Sequence, residues 1–589
     1  MDQRLFLAIA LSMLVLIGYY LIFPPPTPQK PKPAATTEAS APAKAGTTTA
    51  PATTATPGSP ADAAMGVQPA AAPPRPVAPA VPAQLQGKLV HVETPLYVAD
   101  VNTRGGILGD FKLAHYKVDK KNINWGDVLP FLRNMPYLKH WLVEEPVDTK
   151  AHEDMAAKPE IGVSPLALRF IGEDSLTREV ADANFQPDQN SLMVKSGDKG
   201  GTLVLKGSTP DGLTIEKRLT FHPDSYIVDY AVSVVNYGKA PRQLRIAEMF
   251  GEGPQGAHLP KHYRSHTGPI WRAAGKLKTE DPDDVSPTRQ VADPNWMGIT
   301  STYFITVAQA KTPIAHGFYE SKEVPYGKDK LWVAAYGMEL PAVILGADKM
   351  ITSQFKLYLG PKRVSEMAKF GSKLDSSLDL TLDILAQPML TLMRWFYSFT
   401  GNYGWSIILL TIVVRALLFP LTYRGMLNIK RMQKLQPRMK SLREKFKNDK
   451  EKLNREMMAM YKKYKMNPLG GCLPIALQIP IFFALYSALL GAIELRHEPF
   501  LWWITDLSAK DGLYVTPLLM GVSMFMQQRM TPTSVDPTQA KIMMWMPVVF
   551  TFFMVNFPSG LVLYWLTSNA LSVAQQMVIN RIQVPEPQD

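Results

Sequence analysis

One arginine lies well inside an apolar stretch of the chain, and its chemistry needs an explanation. Residues 404–423 read GWSIILLTIVVRALLFPLTY, with Arg415 in the middle and Thr411 one helical turn before it. About 20 apolar residues are enough to cross a bilayer as a helix. An arginine at that depth costs from about 3 to more than 10 kcal/mol. Either the side chain reaches the membrane surface, or the membrane around it holds water.

The later apolar segments offer this arginine no carboxylate, because none of them has an Asp or Glu in its apolar core. They carry uncharged polar residues instead: Gln478, Ser523, Gln527, Gln528, Ser568, Asn569, Gln575 and Gln576. These side chains could line a water-filled hollow that keeps Arg415 hydrated. Alternatively, Arg415 could extend along its own helix to the surface while the polar residues join helices. The residues alone leave both interpretations open.

The apolar segments that must position these residues predict a bundle of six membrane spans. The spans are predicted at 5–23, 404–423, 469–490, 514–530, 542–555 and 561–579. Residues 1–23 are interpreted as an uncleaved N-terminal anchor, and both termini as cytoplasmic. Residues 24–86 are rich in Pro, Ala and Thr and predict a disordered tether, while 582–589 form a short C-terminal tail.

Between the tether and the bundle, residues 87–375 predict a large β-sandwich domain. Short β-branched runs alternate with turn signals such as 209–212, TPDG, which is typical of antiparallel sheets. A run near 244–246 is predicted as one strand. His258, His262 and His266 have metal-like spacing, but Pro260 favours a loop, so no metal or cofactor is expected. With Cys472 as the only cysteine, the chain has no internal disulfide.

Two further segments flank the second span. Residues 384–400 are apolar and aromatic but short, which favours an amphipathic helix lying in the membrane interface. Residues 424–465 hold fifteen Lys and Arg against four acids, so this segment contributes +11 of the net +12. By the positive-inside rule it is cytoplasmic. Apolar residues at steps of three and four predict a helical hairpin over 425–466, turning at 447–450 and kinked at Pro437.

The basic hairpin is open to two interpretations. Its charge could form a solvated face that only fixes topology, or it could bind anionic lipid or ribosomal RNA through phosphate contacts. The candidate contact residues are Lys430, Arg431, Lys434, Arg438, Lys440 and Arg443.

Several long motifs resemble those of the YidC/Oxa/Alb membrane protein insertase family. Residues 467–474 (NPLGGCLP) with 478–482 (QIPIF) resemble the start of the family's third span, and 557–565 (FPSGLVLYW) the start of its last span. Arg415 matches the family's groove arginine, and 506–508 (DLS) its outer loop. The anchor, tether and periplasmic sandwich are similar to the Gram-negative bacterial form of the family.

The resemblance implies an insertase without chemical catalysis, in which five of the six spans form a core that encloses a hydrophilic groove. The groove would draw in the polar outer segment of a new membrane protein, and Arg415 would attract its acidic residues. Tyr564 and Trp565 would contact the moving helix. The other implied groove residues are Thr411, Gln478, Ser523, Gln527, Ser568 and Asn569.

The implied location is the bacterial inner membrane, with the sandwich in the periplasm. The implied partners are nascent membrane proteins, the Sec translocon, anionic lipids and the ribosome. Many members of the family end in a long basic tail, but this sequence closes with VPEPQD, so ribosome contact is expected at the hairpin.

The sequence leaves two alternative functions to consider. The main alternative is an anion or small-solute transporter that uses Arg415, although no inverted repeat is detectable in the sequence. A sugar-binding envelope protein with a membrane anchor is a second alternative, but it leaves the polar-studded spans and the +11 hairpin unexplained.

Overall fold

The structure is a computed structural model of the chain. It describes residues 87–118, 120, 123, 125–129, 150–156, 160–254, 266–326, 329–378, 383–446, 449–464, 473–530 and 537–582. The predicted anchor at 1–23, the tether at 24–86 and residues 583–589 of the tail therefore lie outside the described residues, as do His258 and His262.

The first part of the described chain is rich in strands. These are β1 Leu89–Glu93, β2 Tyr97–Asn102, β3 Ile107–Lys117, β4 His152–Asp154, β5 Ala167–Phe170, β6 Gln186–Pro187, β7 Ser191–Met193, β8 Gly201–Ser208, β9 Leu213–Phe221, β10 Ile227–Asn236, β11 Arg242–Leu244, β12 Ile246–Gly251, β13 Gly268–Ala273, β14 Lys276–Thr279, β15 Thr288–Val291, β16 Pro294–Thr300, β17 Phe304–Ala310, β18 His316–Tyr326, β19 Asp329–Glu339, β20 Val343–Leu345 and β21 Lys349–Pro361.

The strands form one nine-stranded sheet with two five-stranded sheets packed on one of its faces, and β11 and β20 form a separate two-stranded sheet. The nine-stranded order is β14-β13-β16-β17-β21-β10-β9-β8-β6, and the five-stranded orders are β4-β3-β2-β1-β7 and β15-β18-β19-β12-β5. Phe221 contacts Tyr97 of the first small sheet at 6.4 Å between ring centroids. Tyr230 donates to Glu248 of the second at 3.0 Å. Phe221 and Tyr230 lie on the same face, since Tyr230 is paired with Leu219. The predicted β-sandwich is confirmed.

A buried lysine and a buried glutamate lie between these sheets. Lys217 and Glu248 are both 0% exposed. Lys217 Nζ donates to the carbonyl oxygens of Gly105, Gly106 and Leu166 at 2.8, 3.1 and 2.6 Å, which uses all three of its donors. Burial raises the pKa of Glu248 to about 8, and the nearby Lys217 opposes this shift. Burial also lowers the pKa of Lys217. Burial thus favours the protonated form of this carboxyl group.

The strand predicted near 244–246 is wrong in one respect. The structure splits this run at Arg245 into β11 and β12, which belong to different sheets. Arg245 Nε donates to Glu339 Oε1 at 2.8 Å. The chain changes sheet at the residue whose charged side chain is bound by Glu339. The alternation of apolar residues does not predict such a change of sheet.

The described part of the chain also contains eleven α-helices, eight of them after the sandwich. They are α1 Trp125–Val128, α2 Asp174–Asp182, α3 Val364–Phe370, α4 Asp383–Thr400, α5 Tyr403–Lys434, α6 Gln436–Lys445, α7 Lys450–Lys463, α8 Leu473–Gly491, α9 Val515–Met530, α10 Pro537–Met554 and α11 Ser559–Arg581.

Helix α5 is the one described helix that is both long and apolar enough to cross a membrane, over Tyr403–Asn428; Gln478–Gly491 and Met544–Met554 are shorter apolar stretches of α8 and α10. Helices α9 and α11 coincide with predicted spans, but their polar residues lower their hydropathy. Large apolar side chains are nevertheless exposed on the outer surface of the bundle, including Val522 (65%) and Phe552 (71%). Such a surface is typical of helices that face lipid.

The basic hairpin forms, with one correction to its first arm. Pro437 does not kink a continuous helix: α5 ends at Lys434 and α6 begins at Gln436. Proline fits the first turn of a helix, where its missing N–H needs no partner. The arms α6 and α7 pack through Met439, Met460 and Tyr461, which are at most 9% exposed.

The loop between α8 and α9 packs against the sandwich. Arg496 Nη2 lies 2.6 Å from Glu153 Oε1 and 2.7 Å from the carbonyl oxygen of Val118. Both charged side chains are at most 10% exposed. Lys120 Nζ donates to the carbonyl oxygen of His497 at 2.6 Å. Burial and the neighbouring Arg496 lower the pKa of His497 to about 4. Residues of the sandwich and of the helices belong to one continuous apolar core.

Candidate functional site

The polar residues predicted in the spans meet around α11, which contacts α5, α8, α9 and α10. Arg415 on α5 donates from Nε to Ser568 Oγ at 3.0 Å, and its Nη2 donates to the same oxygen. Among the described residues, Ser568 is the only hydrogen-bond acceptor of Arg415, and no carboxylate forms an ion pair with it. The guanidinium charge is therefore not neutralised within the described chain.

Two further hydrogen bonds extend this arrangement to α8 and α9. Gln478 Nε2 on α8 donates to Tyr564 Oη at 2.7 Å. Asn569 Nδ2 donates to Ser523 Oγ on α9 at 3.3 Å, and Ser523 Oγ itself donates to the carbonyl oxygen of Met520 at 2.6 Å. We name this set the polar cluster; its members are Arg415, Gln478, Ser523, Tyr564, Ser568 and Asn569.

The polar cluster is enclosed on the α11 side and partly accessible on the others. Tyr564, Ser568 and Asn569 are at most 5% exposed. Arg415 and Gln478 are half-buried. A buried hydroxyl or amide costs free energy unless it is hydrogen-bonded, and these groups are bonded to one another across helices. The cluster thus joins four helices through polar contacts at the level of the arginine.

Two predicted groove residues lie beside the cluster. Thr411 is 1% exposed, and its hydroxyl donates to the carbonyl oxygen of Ile407 at 2.7 Å within the same helix. It therefore lies one turn from Arg415 without bonding to it. Gln527 is half-buried on α9, one turn after Ser523.

Trp565 belongs to an aromatic group rather than to the polar cluster. Its ring lies 4.8 Å from that of Phe482 on α8 and 4.6 Å from that of Phe550 on α10, measured between centroids. Tyr564 and Trp565 are adjacent in sequence, so α11 presents a polar contact and an apolar contact side by side. The aromatic group fills the space between α8 and α10.

The sequence did not predict a further contact, which lies about two helical turns after the polar cluster on both α5 and α11. Gln575 Nε2 donates to Thr422 Oγ1 at 3.1 Å, which joins α11 and α5 a second time. The sequence analysis included Gln575 and Gln576 among the polar residues of the last span. Their spacing did not predict which helix they would contact. Gln576 donates to Asn580 within α11 at 3.0 Å.

The predicted hairpin residues differ in their surroundings. Arg431, Lys434, Arg438 and Lys440 are exposed, and Arg443 is half-buried. The Arg438 guanidinium lies 5.3 Å from the centroid of the Tyr464 ring, on the other arm. Lys430 differs from the rest, because its ammonium donates to backbone carbonyl oxygens at the end of α11.

Within the described ranges, no group of three or more His, Cys, Asp or Glu side chains could hold a metal ion. The polar cluster consists of one cation with amide, hydroxyl and phenol groups. Such a set can bind an anionic or strongly polar segment through charge-assisted hydrogen bonds.

The fold and the cluster define a helical membrane protein with a large β-sandwich domain. A family described as the 60Kd inner membrane protein matches residues 395–586, and one described as the YidC periplasmic domain matches residues 160–392. The chain belongs to the YidC membrane protein insertase family, as its relatives show over their whole length.

Two of these relatives are named membrane protein insertase YidC. The one from Syntrophus aciditrophicus is 37% identical, over 99% of this chain and 100% of its own. The one from Maridesulfovibrio salexigens is 36% identical, over 98% and 99%.

Among solved structures, an active YidC insertase with its first transmembrane domain resolved is 16% identical, covering 83% of this chain and 94% of its own, with a TM-score of 0.34. YidC from Thermotoga maritima is 14% identical over 83% and 99%, with a TM-score of 0.29. Because both scores are below 0.5, family membership rests on the relatives and the family models. The predicted resemblance is confirmed.

Proposed function

We propose that this chain is a membrane protein insertase of the bacterial inner membrane, whose polar cluster receives the polar segment of a nascent membrane protein. The full-length relatives carry that name, and the transporter alternative finds no support among them. One observation carries the role of the site: the charge of Arg415 has no carboxylate partner among the described residues. A substrate carboxylate can therefore supply the missing countercharge.

The physical task of an insertase is to move a polar segment past hydrocarbon. Each unsatisfied backbone group in hydrocarbon costs several kcal/mol. A site that offers hydrogen bonds part of the way across shortens this barrier. Burial of the substrate's apolar helix in lipid then drives the net transfer, so no covalent chemistry or nucleotide hydrolysis is required.

The roles of individual residues follow from their positions. Arg415 attracts the acidic residues of the substrate, and Gln478, Ser523 and Asn569 offer it further hydrogen bonds. Trp565, together with its aromatic neighbours, offers an apolar surface to the moving helix. Thr411 and Gln527 complete the wall near the arginine.

The remaining partners are assigned by charge and topology. We place the sandwich in the periplasm and both termini in the cytoplasm. We place α4 in the interface on the periplasmic side of the inner membrane. Exposed Arg431, Lys434 and Lys440 suit phosphate contacts with anionic lipids or with the ribosome. Cooperation with the Sec translocon and help in folding and assembling the inserted proteins belong to the same proposal.

A substitution of Arg415 tests the role of its charge. We expect Arg415→Ala to reduce insertion of substrates with acidic outer segments severalfold, and Arg415→Lys to retain most of it. Arg424→Ala is the matched control, because Arg424 lies on the same helix, is exposed, and has no ion pair among the described residues. Insertion is measured by protease protection in depleted and complemented cells. Equal insertion by Arg415→Ala and the unsubstituted protein would contradict the role of the charge.

A further inference from the structure

The ammonium group of Lys430 is bound by the end of a neighbouring helix. Its Nζ donates to the carbonyl oxygens of Ile579, Asn580 and Ile582 at 3.0, 3.0 and 2.5 Å. A lysine ammonium has three donors, so all of them are used. The acceptors belong to the last turn of α11 and its cap. The Ile579 oxygen also accepts the backbone N–H of Ile582 at 3.0 Å. The last carbonyl groups of a helix lack donor partners four residues on, and the negative end of the helix dipole favours a cation.

Three side-chain contacts join α5 and α11, and the contact of Lys430 is the one nearest to the C-terminal ends of both helices. Arg415 donates to Ser568, and Gln575 donates to Thr422 at 3.1 Å. The residue numbers rise together on both helices, so α5 and α11 run parallel. The contacts on α5 are separated by seven and eight residues, or about two helical turns. They therefore fall on one face of each helix.

The opposite end of α11 is also held. The backbone N–H of Ser559 donates to the carbonyl oxygen of Ala509 at 2.7 Å, and that of Gly560 to Leu507 at 2.8 Å. A Cβ atom at Gly560 would lie 3.1 Å from the Leu507 oxygen, so this approach favours glycine. The helix that carries Ser568 is thus fixed at its first and its last turn.

The basic residues near Lys430 behave differently. Arg424 and Arg431 are exposed on α5 and make no hydrogen bond or ion pair with the described residues. If a basic residue served only to fix the membrane topology, it could occupy any of these three positions. The three bonds of Lys430 are specific to its position opposite the end of α11.

We propose that Lys430 is a positioning residue, a clamp that holds the cytoplasmic end of α11 against α5 and thereby keeps Ser568 opposite Arg415. The proposal deepens the insertase function and rests on it. It separates Lys430 from the other basic residues of the hairpin segment, because its donors are occupied by protein rather than by phosphate.

The experiment measures the distance between the two helix ends in the full chain. Spin labels are attached to Arg431→Cys on α5 and Val578→Cys on α11, both exposed positions, in a Cys472→Ser background that removes the only native cysteine. Insertion is measured separately, in chains that keep Arg431. Distance distributions are recorded by double electron–electron resonance in nanodiscs. Lys430→Met keeps the apolar stem and removes the donors, Lys430→Arg keeps donors and charge, and Arg424→Met is the matched loss of charge.

We expect Lys430→Met to broaden the distance distribution and to reduce insertion severalfold, with both effects largely reversed by Lys430→Arg and absent in Arg424→Met. An unchanged distribution in Lys430→Met overturns the clamp. A reduced insertion with an unchanged distribution also overturns it, because the charge would then act on a partner outside α11.

The label distances do not depend on which substrate is used. A broadened distribution therefore supports the clamp even if Arg415→Ala leaves insertion intact, a result that would contradict the proposed function alone.

Discussion

The amide Nε2 of Gln478 lies 2.7 Å from the phenol oxygen of Tyr564, and this bond joins α8 to α11 next to Arg415. Tyr564 is 3% exposed, so neither water nor lipid can easily replace the bond. A polar contact of this kind fixes the separation of two helices that otherwise meet through apolar side chains.

The contact between Gln478 and Tyr564 predicts a measurable coupling. We expect Gln478→Leu and Tyr564→Phe to be less than additive, with a coupling free energy of about 0.6 kcal/mol, as for other interhelical hydrogen bonds in membranes. Unfolding of the single and double variants by steric trapping in bicelles gives the four free energies. Strict additivity would show that the bond contributes nothing to holding α8 on α11.

Ser568 predicts a second effect, on substrate handling rather than on stability. Ser568→Ala removes the acceptor of Arg415, and the guanidinium loses its fixed orientation. We expect insertion of substrates with acidic outer segments to fall about two- to fivefold, the factor for a net hydrogen bond of about 0.5–1 kcal/mol. Thr567→Ala is the control, because the Thr567 hydroxyl donates to Leu563 within its own helix. An equal loss in both variants would point to general damage of α11.

The junction between the sandwich and the helices predicts a third effect. Arg496→Met removes the guanidinium that lies 2.6 Å from the buried carboxylate of Glu153. Removing one member of a buried ion pair costs about 3–5 kcal/mol. We expect faster hydrogen exchange in the loop that follows α8 and in β4. The double variant Arg496→Met with Glu153→Met should recover much of the loss.

An exposed pair supplies the comparison for this junction. Arg289 lies 3.1 Å from Glu280 with half of its side chain exposed. Arg289→Met should cost less than about 1 kcal/mol. A similar cost for Arg289→Met and Arg496→Met would mean that burial of the junction is not maintained in the membrane.

Glu248 predicts a dependence of the sandwich on pH. Its folded pKa is raised from 4.5 to about 8, so the folded state keeps a proton that the unfolded state releases. The stability contributed by this group is complete below about pH 4.5 and is lost as the pH rises towards 8. Glu248→Gln cannot titrate and still offers Tyr230 an acceptor.

We therefore expect the unsubstituted protein to lose more stability than Glu248→Gln between pH 5 and pH 7.5. The measurement is hydrogen exchange of the β9, β10 and β12 amides, corrected for the intrinsic effect of pH. Glu179→Gln, an exposed acid on α2, is the control. Parallel pH profiles of the Glu248→Gln and unsubstituted proteins would show that Glu248 ionises normally.

Sequence patterns predicted the elements whose signals are local. The alternation over 213–221 matches β9, Leu213–Phe221, residue for residue. The absence of acids and the presence of Ser568 and Asn569 in the last span made a polar surround of Arg415 one of the two interpretations that the residues left open. Periodicity and composition report such features, because each depends on residues close together in the chain.

Features that depend on a distant partner escaped prediction. The cap formed by Lys430 requires the end of a helix 149 residues away, and Arg496 finds Glu153 at a separation of 343 residues. In sequence, Lys430 is one more base in a basic segment, and Arg496 is one base in an outer loop. Long-range pairing of side chains leaves no periodic trace in a single sequence.

The bond from Lys430 to the Ile582 carbonyl oxygen, at 2.5 Å, has a practical consequence for engineering this protein. Anything fused behind Asp589 is tethered by residues 583–589 to a point fixed on α5, and seven residues reach about 25 Å at most. A bulky fluorescent or affinity tag there will crowd the end of the bundle at which Lys430 joins α5 to α11. Exposed turns of the sandwich, such as the one after Thr209, are better places for a reporter.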